Sequence, residues 1–394
     1  MAYLDHAATT PMFPSAVAAM NRVLAEPGNP SSLHASGRKA RRLVEESRES
    51  VANVLGCRPG EVIFTAGGTE SNNIAIKGLA WANRDRNPQR NRVVISSVEH
   101  HAALDPSHWL ADSDGFNLTL VAADNDGAIT PEALRAALGD DPSDVALVSI
   151  MLANNEVGTI NDIPALVEVT REFGITFHTD AVQAPMWLQV NFAQLGVCAM
   201  SVSGHKIGGP QGVGALIMSR DCIATPLIHG GGQERDLRSG TLDTPGIVGF
   251  AAALTDLAQS RAEITQRVHA LRDSLVAGVQ EIDSEAVYNG STSNRLVNNA
   301  HFSFPGALGD SLLMLLDAQG VECSVGSACN AGVPQPSHVL LAMGADADLA
   351  RCTLRFSLGH TSTNQDVDQL LQALPSALER ARRAGVPKAF AVQS

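Results

Sequence analysis

Seven short apolar runs recur between residues 61 and 219: EVIFTA (61–66), RVVISS (92–97), NLTLVA (117–122), DVALVSIM (144–151), GITFHTD (174–180), CAMSVS (198–203) and GVGALIMS (212–219). Helical patterns stand between several of them, such as SNNIAIKGLAWANR (71–84) and IPALVEVTREFG (163–174). A strand that is apolar along its whole length must be covered on both faces, and helices in the connections do the covering. The alternation therefore predicts an α/β fold built on a mainly parallel seven-stranded sheet. Ligands of such sheets bind beyond the carboxyl ends of the strands. Thr69, His100, Asn155, Asp180 and Lys206 each end or follow one of the seven runs.

A chain of 394 residues exceeds one small core and predicts two domains. A helical pattern from about Pro245 to Ile282 reads as the connector. Beyond it, NAHFSF (299–304), a helix at 309–318, VECS (321–324), a helix at 336–343, TLRFSL (353–358) and a terminal helix from 364 predict a smaller α/β domain. The first dozen residues are expected to pack beside it. The expected division is a large domain at 14–255 and a small one from 1–13 and 256–394, with a frayed tail at GVPKAFAVQS.

The formal net charge of −13 argues against a nucleic-acid surface, which needs a basic face. The opening MAYLDHAATTPMF shows no secretory pattern and no run is long enough to span a bilayer, so a cytoplasmic location is expected. Six cysteines, at 57, 198, 222, 323, 329 and 352, form neither CxxC pairs nor a zinc-ligand spacing. A chain of this kind is expected to lack disulfides, with most of its cysteines acting as small buried hydrophobes. No metal site is expected.

The strand CAMSVS ends in SGHKI, which delivers Lys206 to the site edge. Lysines are seldom buried without a partner. A free amine with pKa about 10.4 is almost wholly protonated at neutral pH, and an imine to an aldehyde cofactor removes that obstacle. GGTESNN (67–73) follows a strand and opens a helix, so Gly68 and Thr69 stand where backbone N–H groups and the helix dipole suit a phosphate; an ordinary Thr-capped helix is the alternative. Asp180 and Gln183, in HTDAVQA, could pair with a protonated ring nitrogen and a ring hydroxyl, or cap a helix and face solvent. His100 could stack on a cofactor ring and move protons, or simply begin a helix; His101 is its solvated neighbour. Ser203 and His205 alternate with Lys206, which places them on the opposite side if the strand continues. They could hold the phosphate. Cys329 lies in GSACNAG, a loop-like segment without helical or strand period, where its thiol could act as a carried nucleophile. Arg355 is a charge inside the strand TLRFSL and needs a partner, either a substrate carboxylate or a structural acid.

Ten motifs, YLDHAATTP, GNPSSLH, GGTESNN, VEHHAALD, NNEVGTI, HTDAVQA, SGHKIGGPQGVGAL, GGGQERDLRSGTL, GSACNAG and LRFSLG, occur in the order found in cysteine desulfurases, which the chain resembles from residue 3 to about 360. These are pyridoxal-phosphate enzymes of the fold-type-I, class-V aminotransferase superfamily, and GSAC resembles the group with a long mobile catalytic loop. The resemblance implies that Lys206 carries the cofactor as an imine, Asp180 pairs with the pyridine nitrogen, Gln183 bonds the ring oxygen and His100 stacks on the ring. It implies that Gly68, Thr69, Ser203 and His205 bind the phosphate. Thr241 would reach the phosphate of the neighbouring subunit in a homodimer with shared sites. Asn155 would contact cofactor and substrate, Arg355 would hold the carboxylate of L-cysteine, and Cys329 would take the sulfur as a persulfide. Delivery to an acceptor protein follows, as in iron–sulfur cluster assembly or tRNA thiolation. Other activities on the same scaffold are selenocysteine lyase and aminotransferase; a scaffold protein without cofactor is the non-enzymatic alternative. Ala66 and His360 depart from the commoner pattern, at positions where serine and arginine or an aromatic are frequent.

Overall fold

The computed structural model describes residues 1–326 and 336–385. Its strands are β1 (Ala2–Tyr3), β2 (Val62–Thr65), β3 (Arg92–Ser96), β4 (Asn117–Val121), β5 (Val145–Ser149), β6 (Phe177–Asp180), β7 (Ala199–Ser203), β8 (Gly214–Met218), β9 (Val287–Tyr288), β10 (Asn299–Ser303), β11 (Val321–Glu322) and β12 (Thr353–Ser357). Each of the seven predicted runs contains one strand, β2 to β8, and these form one sheet in the order β2-β8-β7-β6-β5-β3-β4. The pairs from β7 to β4 are parallel, and β8 runs antiparallel to both β7 and β2. Strands β5, β7 and β8 are buried at every residue, which is why their sequences carry no polar alternation.

Helices Gly68–Arg86, His101–Asp114 and Ile163–Arg171 follow strands of this sheet and start at its carboxyl edge. The helix Thr244–Ile282 begins where the Asp243 side chain accepts from Gly246 N at 3.1 Å, with Pro245 in its first turn. At 39 residues it spans about 58 Å. It packs on the helices Pro14–Leu24 and Ala35–Leu55, and also on the terminal helix Asn364–Ala384. The antiparallel sheet β12-β10-β9 lies beyond it in sequence. The chain's start joins this part: β1 pairs in parallel with β11, and Ser357 N donates to Leu4 O at 2.7 Å. Asp5 and His6 thereby lie beside β12. Among the described residues no helix is long and apolar enough to cross a membrane.

The cysteine expectation needs a correction. Cys198 and Cys222 form a disulfide, with Cα atoms 6.1 Å apart. Cys198 immediately precedes β7 and Cys222 lies shortly after β8, so the antiparallel pairing of those strands brings the two together. Both are half-buried rather than core residues. Cys323 and Cys352 are buried as expected, and Cys57 is half-buried.

Candidate active site

A cavity of about 420 Å³ opens at the carboxyl ends of β2, β3, β5, β6 and β7. Gly68, Thr69, His100, Asn155, Asp180, Gln183, Ser203, His205, Lys206 and Arg355 all line it, so ten predicted residues from separate motifs meet in one space. Cys329 lies outside the described residues, and the exposed Thr241 does not line this cavity.

The strand β7 ends at Ser203, and Gly204–Lys206 turn as one 3-10 segment. The alternation expected from a continuing strand is thus broken: Ser203, His205 and Lys206 share the same cavity instead of facing opposite ways. Lys206 Nζ donates to the carbonyls of Ala7 at 2.6 Å and Ala8 at 2.7 Å. Two backbone acceptors without a paired carboxylate leave the ammonium poorly compensated. Burial, with Arg355 acting in the same direction, lowers its pKa to about 8 against the opposing pull of Asp5 and Asp180. The amine is therefore far more reactive near neutrality than a free lysine.

Asp180 ends β6 and is 5% exposed. Its Oδ2 accepts from Asn72 Nδ2 at 2.6 Å and its Oδ1 from Val182 N at 2.8 Å. Both carboxylate oxygens are thus held by donors. Gln183 Nε2 donates to Ala7 O at 2.9 Å, so the Ala7 carbonyl receives both Gln183 and Lys206.

His100 is the N-cap of the helix His101–Asp114, and its Nδ1 accepts from Ala102 N at 3.0 Å. That bond leaves the ring proton on Nε2, free for the cavity. Burial lowers the basicity of His100 and Asp180 opposes it. His100 thus begins the helix, as one reading had it, and it also lines the cavity. His101 pairs instead with Asp105 at 3.0 Å on the outer surface.

Gly67 has φ +144°, a region that favours glycine, and caps the helix Gly68–Arg86 without a side-chain bond. A Cβ on Gly68 would stand 2.7 Å from Val182 Cγ2. The two glycines keep the first turn open, with backbone N–H groups beside Ser203 and His205. His205, whose Nδ1 lies 3.3 Å from Thr9 Oγ1, is lowered to about 4 by burial and by Lys206, so it is neutral here.

On the opposite wall Arg355 Nη1 donates to Asn155 O at 2.9 Å and Nη2 to Asp5 Oδ1 at 2.8 Å, while its Nε is buried without a partner among the described residues. The structural acid anticipated as one alternative is therefore present. Asn72, Asp5 and the carbonyls of Ala7 and Ala8 escaped the sequence reading. All four lie inside quoted motifs, GGTESNN and YLDHAATTP, but only the tertiary contacts give them a task.

The chain belongs to the aminotransferase class-V family, whose model matches residues 2–370. It is 56% identical over 392 residues, 99% of this chain and 100% of the other, to a protein of Mycobacterium tuberculosis described as an IscS-like cysteine desulfurase. It is 43% identical to a protein of Dictyoglomus turgidum described as cysteine desulfurase IscS, covering 96% and 95% of the two chains. A solved structure of a NifS-like protein superposes with a TM-score of 0.88 at 34% identity, covering 96% of this chain and 100% of that one. A structure titled SspA in complex with cysteine matches at 0.78 and 33%, covering 92% and 100%. The fold is accordingly that of the fold-type-I pyridoxal-phosphate transferases.

The family implies pyridoxal phosphate, and the residues present fit it. A less basic lysine, a buried carboxylate fixed by two donors and an open helix N-terminus line a single cavity. They match, in turn, an aldehyde, a protonated ring nitrogen and a phosphate.

Proposed function

We propose that the chain is a cysteine desulfurase that converts L-cysteine to L-alanine and holds the sulfur as a persulfide on Cys329. The observation that carries this reading is the convergence of Lys206 and Asp180 in one cavity beneath the N-terminus of Gly68–Arg86. Pyridoxal phosphate, when bound, supplies an aldehyde for amines and a cationic ring that stabilises negative charge at the substrate α-carbon. Lys206 would hold the aldehyde carbon, Asp180 would face the ring nitrogen and Gln183 the ring oxygen. His100 would lie against the ring. Gly68, Thr69, Ser203 and His205 would hold the phosphate, and Asn155 would contact both cofactor and substrate.

Arg355 receives the carboxylate of L-cysteine through its guanidinium. Lys206 would move the substrate α-proton, with His100 Nε2 at hand for a second transfer. The Cys329 thiolate attacks the substrate sulfur. The new S–S bond forms as the substrate C–S bond breaks, its electron pair returns to the carbon skeleton, and protonation yields alanine. The persulfide then passes to an acceptor protein, such as an iron–sulfur scaffold or a tRNA-thiolation enzyme.

Thr241 belongs to the neighbouring subunit's phosphate site in a homodimer. Its exposure, and its absence from the lining of its own chain's cavity, support that assignment. The large domain is assigned to 14–255 and the small domain to 1–13 with 256–394. The pairing of β1 with β11 supports placing the first residues with the second domain.

The test is sulfide and alanine release from L-cysteine with a thiol reductant. Cys329→Ala is expected to lose sulfide release while keeping the visible cofactor band. Full release by that variant would remove Cys329 from the reaction.

A further inference from the structure

Glu99 immediately precedes His100 at the carboxyl end of β3, and its side chain is completely buried. Its Oε1 accepts from Met151 N at 2.6 Å, which ties the end of β3 to the segment after β5. Its own carbonyl accepts from His338 Nε2 at 2.9 Å. Its Oε2 is buried with no hydrogen-bond partner among the described residues. The nearby Ser96 hydroxyl accepts from Val98 N at 3.3 Å, and its pull toward the ionised form of Glu99 is the weakest of the influences on that group.

An ionised carboxylate in this position would be poorly served. One oxygen would have a single backbone donor and the other none, and the charge it meets is that of Asp180. A buried anion without compensation is costly, and two carboxylates in one desolvated space divide so that one keeps a proton. The donors decide which. Asp180 has Asn72 Nδ2 and Val182 N, one donor on each oxygen, where Glu99 has only Met151 N on Oε1. Glu99 takes the proton.

We propose that Glu99 is a neutral positioning residue of the active site, which braces His100 and leaves Asp180 as the ionised member of the pair. The inference rests on the cysteine desulfurase reading for its kinetic consequence only. The groups around the pair are Asp180 on β6, His100 and His101 at the start of their helix, His338 across the Glu99 carbonyl, and Lys206 after β7. Burial, then Asp180, raises Glu99 from its ordinary value to about 8, with Met151 N and the Ser96 side chain pulling the other way. Below that pH the glutamic acid is neutral. Above it a second negative charge appears beside Asp180 and the brace on His100 is altered.

Two measurements test this. Infrared spectra of the full-length protein, wild type against Glu99→Gln, should contain the carbonyl stretch of a buried neutral carboxylic acid at neutral pH. The band should be absent from the variant and fade in the wild type with a midpoint near pH 8. A wild-type spectrum without such a band overturns the proposal, and this arm needs no turnover. In sulfide release from L-cysteine, Glu99→Gln should stay within about threefold of wild-type kcat and lose the alkaline limb near pH 8. Glu99→Ala, which removes the brace, should fall about tenfold or more. Glu99→Gln impaired as much as Glu99→Ala, with an unchanged pH profile, overturns the assignment of a neutral role. A wild type that releases no sulfide would sink the desulfurase reading while the infrared result still decides the state of Glu99.

Discussion

Arg355 Nη2 donates to Asp5 Oδ1 at 2.8 Å across 350 residues of sequence. The carboxylate anchors one edge of the guanidinium, and Asn155 O holds Nη1. Arg355 is 4% exposed, so its side chain has little freedom once both contacts are made. Asp5→Asn keeps the size and removes the charge. The expected result is a rise in KM for L-cysteine of about three- to tenfold with a smaller change in kcat, matching about 1 kcal/mol of lost orientation. Arg355→Lys should raise KM more, because an ammonium cannot make the forked contact. Steady-state kinetics check both, and an unchanged KM in Asp5→Asn would show that the ion pair is only structural.

The lowered basicity of Lys206 predicts how cofactor-free protein captures pyridoxal phosphate. The attacking amine must be neutral, and its pKa is brought down to about 8. The rate of appearance of the visible band should therefore rise through pH 8 and level off above it. Lys206→Ala should show no covalent band at any pH. A stopped-flow pH series decides the point, and an inflection near the free-lysine value of about 10.4 would contradict the burial argument.

Stability should fall on both sides of a middle pH. His178 is fully buried between Ser149 Oγ at 2.8 Å and Ser201 Oγ at 3.0 Å, and burial pushes it down to about 3. His301 is pushed to about 3 as well, by burial first and then by Arg355 and Arg295. A histidine with a depressed folded value contributes stability above its unfolded value of about 6.5 and loses it as pH falls towards the folded one. Glu99 runs the other way. Its folded value is raised to about 8, so its contribution is complete below the unfolded value of about 4.3 and is lost as pH rises through 8. Denaturant midpoints measured from pH 4 to 9 should trace a maximum between these limbs. His178→Asn should flatten the acid limb and Glu99→Gln the alkaline one, each by up to about 1.4 kcal/mol per pH unit.

The Cys198–Cys222 bridge closes a sequence separation of 24 that contains Ser203, His205 and Lys206. Constraining a loop of that length in the unfolded chain contributes about 3–4 kcal/mol. In protein purified without reductant, these two cysteines should resist alkylation until reduced. Reduction should lower Tm by about 5 °C. Peptide mass mapping with and without reductant, alongside calorimetry, checks this. Quantitative alkylation of both thiols before reduction would count against the bridge.

The strands were legible because burial on both faces leaves a direct mark: VALVS in β5 and AMSVS in β7 are continuous rather than alternating. The parallel order followed from the helices between them. The antiparallel direction of β8 was not legible, since its apolar run reads the same either way and only pairing with β7 and β2 sets its sense. The disulfide was missed for the same reason, as it depends on that pairing. Ser203, His205 and Lys206 line one cavity, but alternation separated them because nothing local announced the 3-10 turn after Ser203.

Residue types and their spacing alone determined the class of chemistry here: a lysine ending an apolar strand, an aspartate ending another, and glycines opening a helix after a third. Those marks are local, and each follows from what one segment must do to fold. Tertiary structure alone decided which groups work together. It set the Ala7 and Ala8 carbonyls against Lys206, Asn72 against Asp180, Asp5 against Arg355, and a sealed Glu99 behind His100. These pairings depend on electrostatics and desolvation, which arise only when distant segments pack into one space.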